Sequence, residues 1–295
     1  MPEVQDKSIS QEVREIEIIA RRLVSSTLAG QYHAVFKGRG MSFDSVREYQ
    51  PGDDIRTIDW NVSARTGGIF VKQYVEEREL TVLLVVDLSE SQKFGSQKKS
   101  KRKWAAEIAA VLAFSAISNN DRVGLILYTD RIERYIPPKK GRGHVMRIVQ
   151  ELLRFEPQGH GTRTDVALDY VSRIARKRAV VFVLSDFLGD GYDRSLGVLS
   201  GRHDVVPIVT YDVVDKKWPI PKGIWLLEDA ETAHVAKLDA NHFETLVQYS
   251  QRAAVADRKL EHLIRKFGME PITAAVGADY LTSLVAYFRR RAARQ

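Results

Sequence analysis

The stretch Glu79-Leu-Thr-Val-Leu-Leu-Val-Val-Asp87-Leu-Ser-Glu-Ser91 decides the fold. Leu80 to Val86 is a continuous apolar run rich in Val and Leu. Such a run suits a strand buried on both faces, as in a parallel sheet. It stops at Asp87, Ser89 and Ser91, oxygen-bearing side chains at alternate positions. Open α/β sheets bind ligands at the carboxyl ends of their strands, so this strand delivers a cluster of oxygens to that edge. Hard cations such as Mg²⁺ take oxygen ligands, often one or two carboxylates with waters completing the shell. The plainer alternative is that Ser89 or Ser91 caps a following helix.

Working outward, the pattern repeats. Val180 to Leu184 is a second buried apolar run, ending in Ser185-Asp186. Between the two lies Gly159-His160-Gly161-Thr162-Arg163-Thr164-Asp165, a glycine-rich loop opening a helix, in which Thr162 and Thr164 are both candidate caps. Further strands are expected over 121–130 and 203–212. A shorter edge strand over 131–137 is stopped by Pro137 and Pro138. Residues 224–227 and 235–238 read as short strands or a hairpin. Helical spacing marks 9–28, ended by Gly30, then 144–155, 241–267 closed by Gly268, and 279–291 running into Arg289, Arg290, Arg291 and Arg294. Strands alternating with helices predict an α/β fold with a doubly wound, mostly parallel, Rossmann-like sheet. Residues 1–78 read as an N-terminal helical and irregular extension packed on a main α/β domain spanning 79–295.

Composition narrows the classes. The 295 residues are 44% hydrophobic and 28% charged, ordinary for a globular chain. The absence of cysteine excludes disulfides, thiolate metal sites and a catalytic Cys. The polar start resembles no signal peptide, and the apolar runs are too short for a membrane span, so a cytoplasmic location is expected. A formal charge of +7 is compatible with nucleic acid or an acidic protein as partner. Lys98, Lys99, Lys101, Arg102 and Lys103 precede a helix carrying Trp104, Ile108, Val111 and Leu112 on one face. Cations there oppose the helix dipole. They read as a solvated helix end or as a patch that steers an acidic partner. No P-loop, GxSxG or HExxH pattern is present.

Residues 31–74 differ in character. Arg47, Tyr49, Asp53, Asp54, Arg56, Asp59 and Trp60 crowd around the Pro51-Gly52 turn. This density of opposite charge reads as a structural network, with Arg47 or Arg56 paired to Asp53, Asp54 or Asp59. Asp59→Ala would then cost a few kcal/mol by stranding an arginine. A direct binding site is the alternative.

Asp87-Leu88-Ser89-Glu90-Ser91, with Thr162 and Asp186, resembles the metal-ion-dependent adhesion site of von Willebrand factor A-type domains. Thr162-Arg163-Thr164-x-x-Ala167-Leu168 matches that family's threonine loop, which gives the metal role to Thr162 over Thr164. Gly38-Arg39-Gly40, Phe43, Arg47-Glu48-Tyr49, Pro51-Gly52-Asp53-Asp54, Arg56, Ile58-Asp59-Trp60, Ala64-Arg65, Val71-Lys72 and Glu77-Arg78-Glu79-Leu80 resemble the hallmark of the Domain of Unknown Function 58 family. Glu90 stands where that pattern has a small or neutral residue, and Gln92 where it has an apolar one.

The resemblance implies a cytoplasmic bacterial adaptor working beside a MoxR-type AAA+ ATPase in protein or metallocofactor assembly. It implies Mg²⁺, with Mn²⁺ or Ca²⁺ as alternatives, held by Asp87, Ser89, Ser91, Thr162 and Asp186. A Glu or Asp of the ATPase or of a client protein would fill the open coordination position. No catalytic constellation is visible. A metal-dependent hydrolase would need His160 as its base, and a nucleic-acid binder lacks aromatics among its Lys and Arg.

Overall fold

The computed structural model describes residues 3–23, 32, 35–36, 41–76, 79–96, 99–216, 223–228 and 234–294. Gly38 to Gly40, Glu77, Arg78 and Lys98 lie outside them. The chain forms two compact units, Phe36–Leu80 and the remainder, Met1–Val35 with Thr81–Gln295.

In chain order the larger unit contains α1 (Glu3–Leu23), β3 (Thr81–Asp87), α3 (Lys101–Ser118), β4 (Arg122–Tyr128), β5 (Ile132–Lys139), α4 (Arg142–Arg154) and α5 (Thr164–Ile174). It continues through β6 (Val180–Ser185), α6 (Asp193–Arg202), β7 (Asp204–Tyr211), the single turn α7 (Val213–Lys216), β8 (Ile224–Glu228), β9 (Val235–Asp239), α8 (Phe243–Lys266), β10 (Ile272–Ala275) and α9 (Tyr280–Ala292). The smaller unit contains β1 (Met41–Glu48), α2 (Trp60–Thr66) and β2 (Phe70–Glu76).

A six-stranded sheet of order β10-β7-β6-β3-β4-β5 forms the centre. β10, β7, β6, β3 and β4 run parallel, and β5 is an antiparallel edge. Val82 to Val86 are all buried, because helices cover both faces and leave no side of the strand to water. On one face Leu83, Val85, Val181 and Val183 pack with Ala167, Leu168 and Val171 of α5, Leu196 and Leu199 of α6, and Leu260 and Leu263 of α8. On the other, α3 meets β3, β4, β6 and β7 as well as α1 and α4. Caught between sheet and helices, α3 is apolar nearly all round, and its many alanines permit close approach. The chain leaves β3 towards β4 on one side and returns to β6 on the other. The crevice at the carboxyl ends of β3 and β6 is therefore a topological switch point, where open α/β sheets place their sites.

The larger unit departs from expectation at β5, β10 and α6. β5 runs through Pro137 and Pro138 to Lys139 instead of stopping at them. An outermost strand tolerates residues that cannot donate to a ladder. β10 and α6 are additions to the expected elements. Residues 224–228 and 235–239 pair as an antiparallel two-stranded sheet, and Gly268, at φ 64°, closes α8. Among the described residues no helix is long and apolar enough to cross a membrane.

In the smaller unit β1 and β2 pair antiparallel. Arg47 donates from both terminal nitrogens to the Asp53 carboxylate, at 2.7 and 2.6 Å. This fork and the Gln50 amide hold the Asp53 carboxyl down to about 2. Asp54 accepts from the Arg56 amide across a short 3-10 turn, and Arg56 itself is exposed. Asp59 caps α2 by accepting from the Asn61 and Val62 amides, and its other oxygen lies 3.8 Å from the Lys72 ammonium. The expected arginine partner of Asp59 is thus replaced by a helix cap. Asp59→Ala should cost about 1 kcal/mol, the usual worth of an N-cap, with Asp59→Asn retaining most of it. Urea unfolding of the two variants checks this. Tyr49 is half-buried, whereas Trp60 and Ile55 are exposed.

Candidate metal centre

β3 ends in Asp87, which is 1% exposed. Its Oδ1 accepts from the Ser89 amide at 2.9 Å and its Oδ2 from the Ser185 hydroxyl at 2.7 Å. The Ser89 and Ser91 hydroxyls lie 3.1 Å apart, and Ser91 Oγ donates to Asp186 Oδ2 at 3.2 Å. Asp87, Ser89, Ser91 and Asp186 are therefore joined in one hydrogen-bonded network across the β3–β6 crevice. Neither serine caps α3. Ser89 makes no side-chain cap bond to the 3-10 turn that follows it, and Ser100 caps the helix instead.

The threonine loop reaches the same edge through its backbone. The Glu90 amide donates to the His160 carbonyl at 3.4 Å, and Arg163 N to the Thr129 carbonyl at 2.9 Å. A Cβ placed on Gly189, just after β6, would lie 3.9 Å from the Thr162 carbonyl oxygen. Thr162 is half-buried in this loop. Thr164 is buried at the start of α5, its hydroxyl 3.3 Å from that of Tyr128. Glu133 anchors the loop by accepting from the Gln158 and Gly159 amides and from Thr129 Oγ1.

The electrostatics are those of a site short of positive charge. Burial, and then the charge of Asp186, push the Asp87 carboxyl up to about 7. Burial and the Asp87 charge likewise raise the Tyr128 hydroxyl. Two converging carboxylates with hydroxyl neighbours are hard oxygen donors, a set that fits Mg²⁺ or Mn²⁺. Among the described residues no group of three or more His, Cys, Asp or Glu could hold an ion, so the candidate is a two-carboxylate, hydroxyl-rich set. At its rim the Lys93 ammonium holds the Glu90 carboxyl below its usual value, and His160 Nδ1 lies 3.5 Å from Glu90. Gln92 is buried, and its amide nitrogen has no hydrogen-bond partner among the described residues.

The basic cluster is placed differently from the exposed patch expected. Lys101 is 2% exposed, its ammonium 2.9 Å from Asp186 Oδ2 and 3.0 Å from Asp215 Oδ2. Burial would lower its pKa, but Asp186 and Asp215 outweigh this and raise it. Arg102 turns inward to the Phe155 carbonyl, and Lys99 pairs with Glu107 at 2.5 Å. Only Lys103 among the described members is exposed. Arg291 bonds Asp204 and Tyr287, while Arg290 and Arg294 both pair with Glu270. Among the described residues, Arg290, Arg291 and Arg294 are thus matched by acids, while Arg289 is exposed.

Sequence reasoning missed Ser185, which orients Asp87, and a further acidic pair at the end of β7. Asp212 is fully buried and accepts from Ser96 N and Oγ and from Val214 N. Burial would raise its carboxyl, yet those bonds and Lys101 hold it low. Asp215 Oδ2 accepts from the Asp212 amide as well as from Lys101. The apolar run of β7 ending in an acid was the available signal.

These features define a class: an open, mostly parallel α/β protein with an oxygen-rich crevice at its switch point. The family model described as "Protein of unknown function DUF58" matches residues 45–259, and the chain belongs to that family. It is 31% identical to the uncharacterized protein Rv1480 of Mycobacterium tuberculosis over 297 residues, covering 99% of this chain and 93% of that protein. The same figures hold for the uncharacterized protein Mb1516 of Mycobacterium bovis. Among solved structures it is similar to an aerotolerance-related membrane protein of Bacteroides fragilis, at TM-score 0.46 and 16% identity, covering 73% of this chain and 100% of that one.

Proposed function

We propose that the chain is a metal-dependent protein-interaction module with a von Willebrand factor A-like fold, acting as an adaptor for a MoxR-type AAA+ ATPase or its client. The observation that carries this is the network joining Asp87, Ser89, Ser91 and Asp186 at the switch point. Asp87, Ser89, Ser91, Thr162 and Asp186 would hold Mg²⁺ or Mn²⁺, with Ca²⁺ the larger alternative. The ion supplies an electrophilic position for a carboxylate. The serine and threonine donors are neutral, so only the two aspartates offset its charge directly, which favours one more acidic ligand from a partner. Ser91 and Thr162 are half-buried whereas Asp87 and Ser89 are fully buried, so the accessible side of the set is that of Ser91 and Thr162.

Surface binding between this protein and a purified MoxR-type ATPase of the same organism tests the reading. Association should need Mg²⁺ or Mn²⁺ and be lost in Thr162→Ala with the fold retained by circular dichroism. Full-strength association in excess chelator by folded protein would sink it.

A further inference from the structure

Resting on that metal-site reading, we propose that Lys101 sets the affinity of the site, acting as a built-in cation that shares Asp186 with the bound ion. Lys101 opens α3, yet it is among the largest fully buried side chains of the protein. Its ammonium contacts Asp186 Oδ2, the oxygen to which Ser91 of the metal loop also donates. The other oxygen, Oδ1, faces the Leu188 amide at 3.4 Å. An ion gathered by the metal-loop hydroxyls and Asp186 therefore meets a carboxylate already engaged by a positive charge. Two cations on one carboxylate repel, and the repulsion is large where water is excluded.

The lysine does not satisfy the crevice by itself. Asp87 is bonded to Ser89 and Ser185, while one ammonium is divided between Asp186 and Asp215. Asp215 draws it away from the metal loop and is fixed through the Asp212 amide, and Asp212 in turn holds Ser96. Asp215 thus acts as a counterweight, and the share of Lys101 that falls on Asp186 depends on it. The expected consequence is directional. Removing the ammonium leaves Asp186 to the ion alone, and removing the counterweight commits the ammonium to Asp186. The arrangement keeps the centre weak for a lone ion and leaves room for a partner's carboxylate to complete it.

The experiment is Mn²⁺ and Mg²⁺ titration calorimetry at pH 8 on the full chain as wild type, Lys101→Met and Asp215→Asn, each melted in chelator to establish its fold. Lys101→Met should bind the ion at least tenfold more tightly, and Asp215→Asn about threefold or more weakly. Folded Lys101→Met binding no more tightly than wild type would overturn the role of Lys101 while leaving the metal centre standing. If Lys101→Met fails to fold, Lys101→Gln takes its place: tighter binding supports the role, unchanged or weaker binding overturns it. If wild type and variants alike bind neither ion at millimolar concentration, the metal centre itself falls, and this inference with it.

Discussion

Asp87→Asn should abolish divalent-cation binding, by a hundredfold or more, without lowering the melting temperature in chelator at pH 8. Asp87 is buried, and its carboxyl is pushed up to about 7 by burial and by Asp186. A folded-state value above the ordinary one means that the native protein favours the protonated acid. Stability from this group is complete below the usual carboxylate range and is lost as pH rises through about 7. At pH 8 the ion-free wild type carries a buried anion it would be better without, since every tenfold difference in proton affinity between folded and unfolded chain is worth about 1.4 kcal/mol. Asparagine keeps an acceptor for the Ser89 amide and removes the charge. In wild type, a cation at a hundredfold excess over its Kd adds about 2.7 kcal/mol. The variant should lose that whole increment. Melting curves with and without Mg²⁺ read both effects, and a variant that collapses in chelator while keeping its Mg²⁺ response would refute the reading.

Gly95→Ala is expected to destabilise the protein by about 1–3 kcal/mol, the cost of overpacking a closed site, and to loosen the loop that carries Ser89 and Ser91. A Cβ at Gly95 would sit 2.4 Å from the Lys99 carbonyl oxygen and 2.7 Å from Ser100 Cα. Both are backbone atoms, so no side chain can swing aside. The turn would have to open, although the Phe94 carbonyl accepts from Lys101 N at 2.9 Å and Ser96 is held by Asp212. Gly143 is the control. It is helical, and a Cβ there meets nothing within 4 Å, so Gly143→Ala should stabilise by about 0.5–1 kcal/mol. Denaturant unfolding of the pair separates steric closure at Gly95 from any general effect of replacing glycine.

The framework of the sheet could be read because a strand covered on both faces must be apolar throughout. β3 and β6 show this, and their terminal acids mark where the apolar environment ends. Lys101 could not be read that way. Its partners lie 85 and 114 residues along the chain, and a lysine among lysines at a helix start looks solvated. Ser185 gave no sign beyond preceding Asp186. β10 escaped notice because Ile272-Thr-Ala-Ala holds only two residues with strong strand preference. α6 escaped because Gly197 and Gly201 weaken its helical pattern. Gly197 is needed there because the Phe267 ring would lie 2.7 Å from any Cβ. Apart from β10, the misses share an origin: the reason for the residue lies in a distant part of the chain.

The prolines of β5 carry a consequence for how other chains can approach. An open sheet edge is a template for strand addition, by a neighbouring copy in aggregation or by an extended peptide in recognition. Here one edge is β5, with Pro137 and Pro138 in its second half, and the other is β10, four residues long. Proline cannot donate to an incoming strand, and a four-residue edge offers little length to one. The central sheet is thereby a poor nucleus for amyloid-like stacking, and β-augmentation at its edges is disfavoured as a mode of capture.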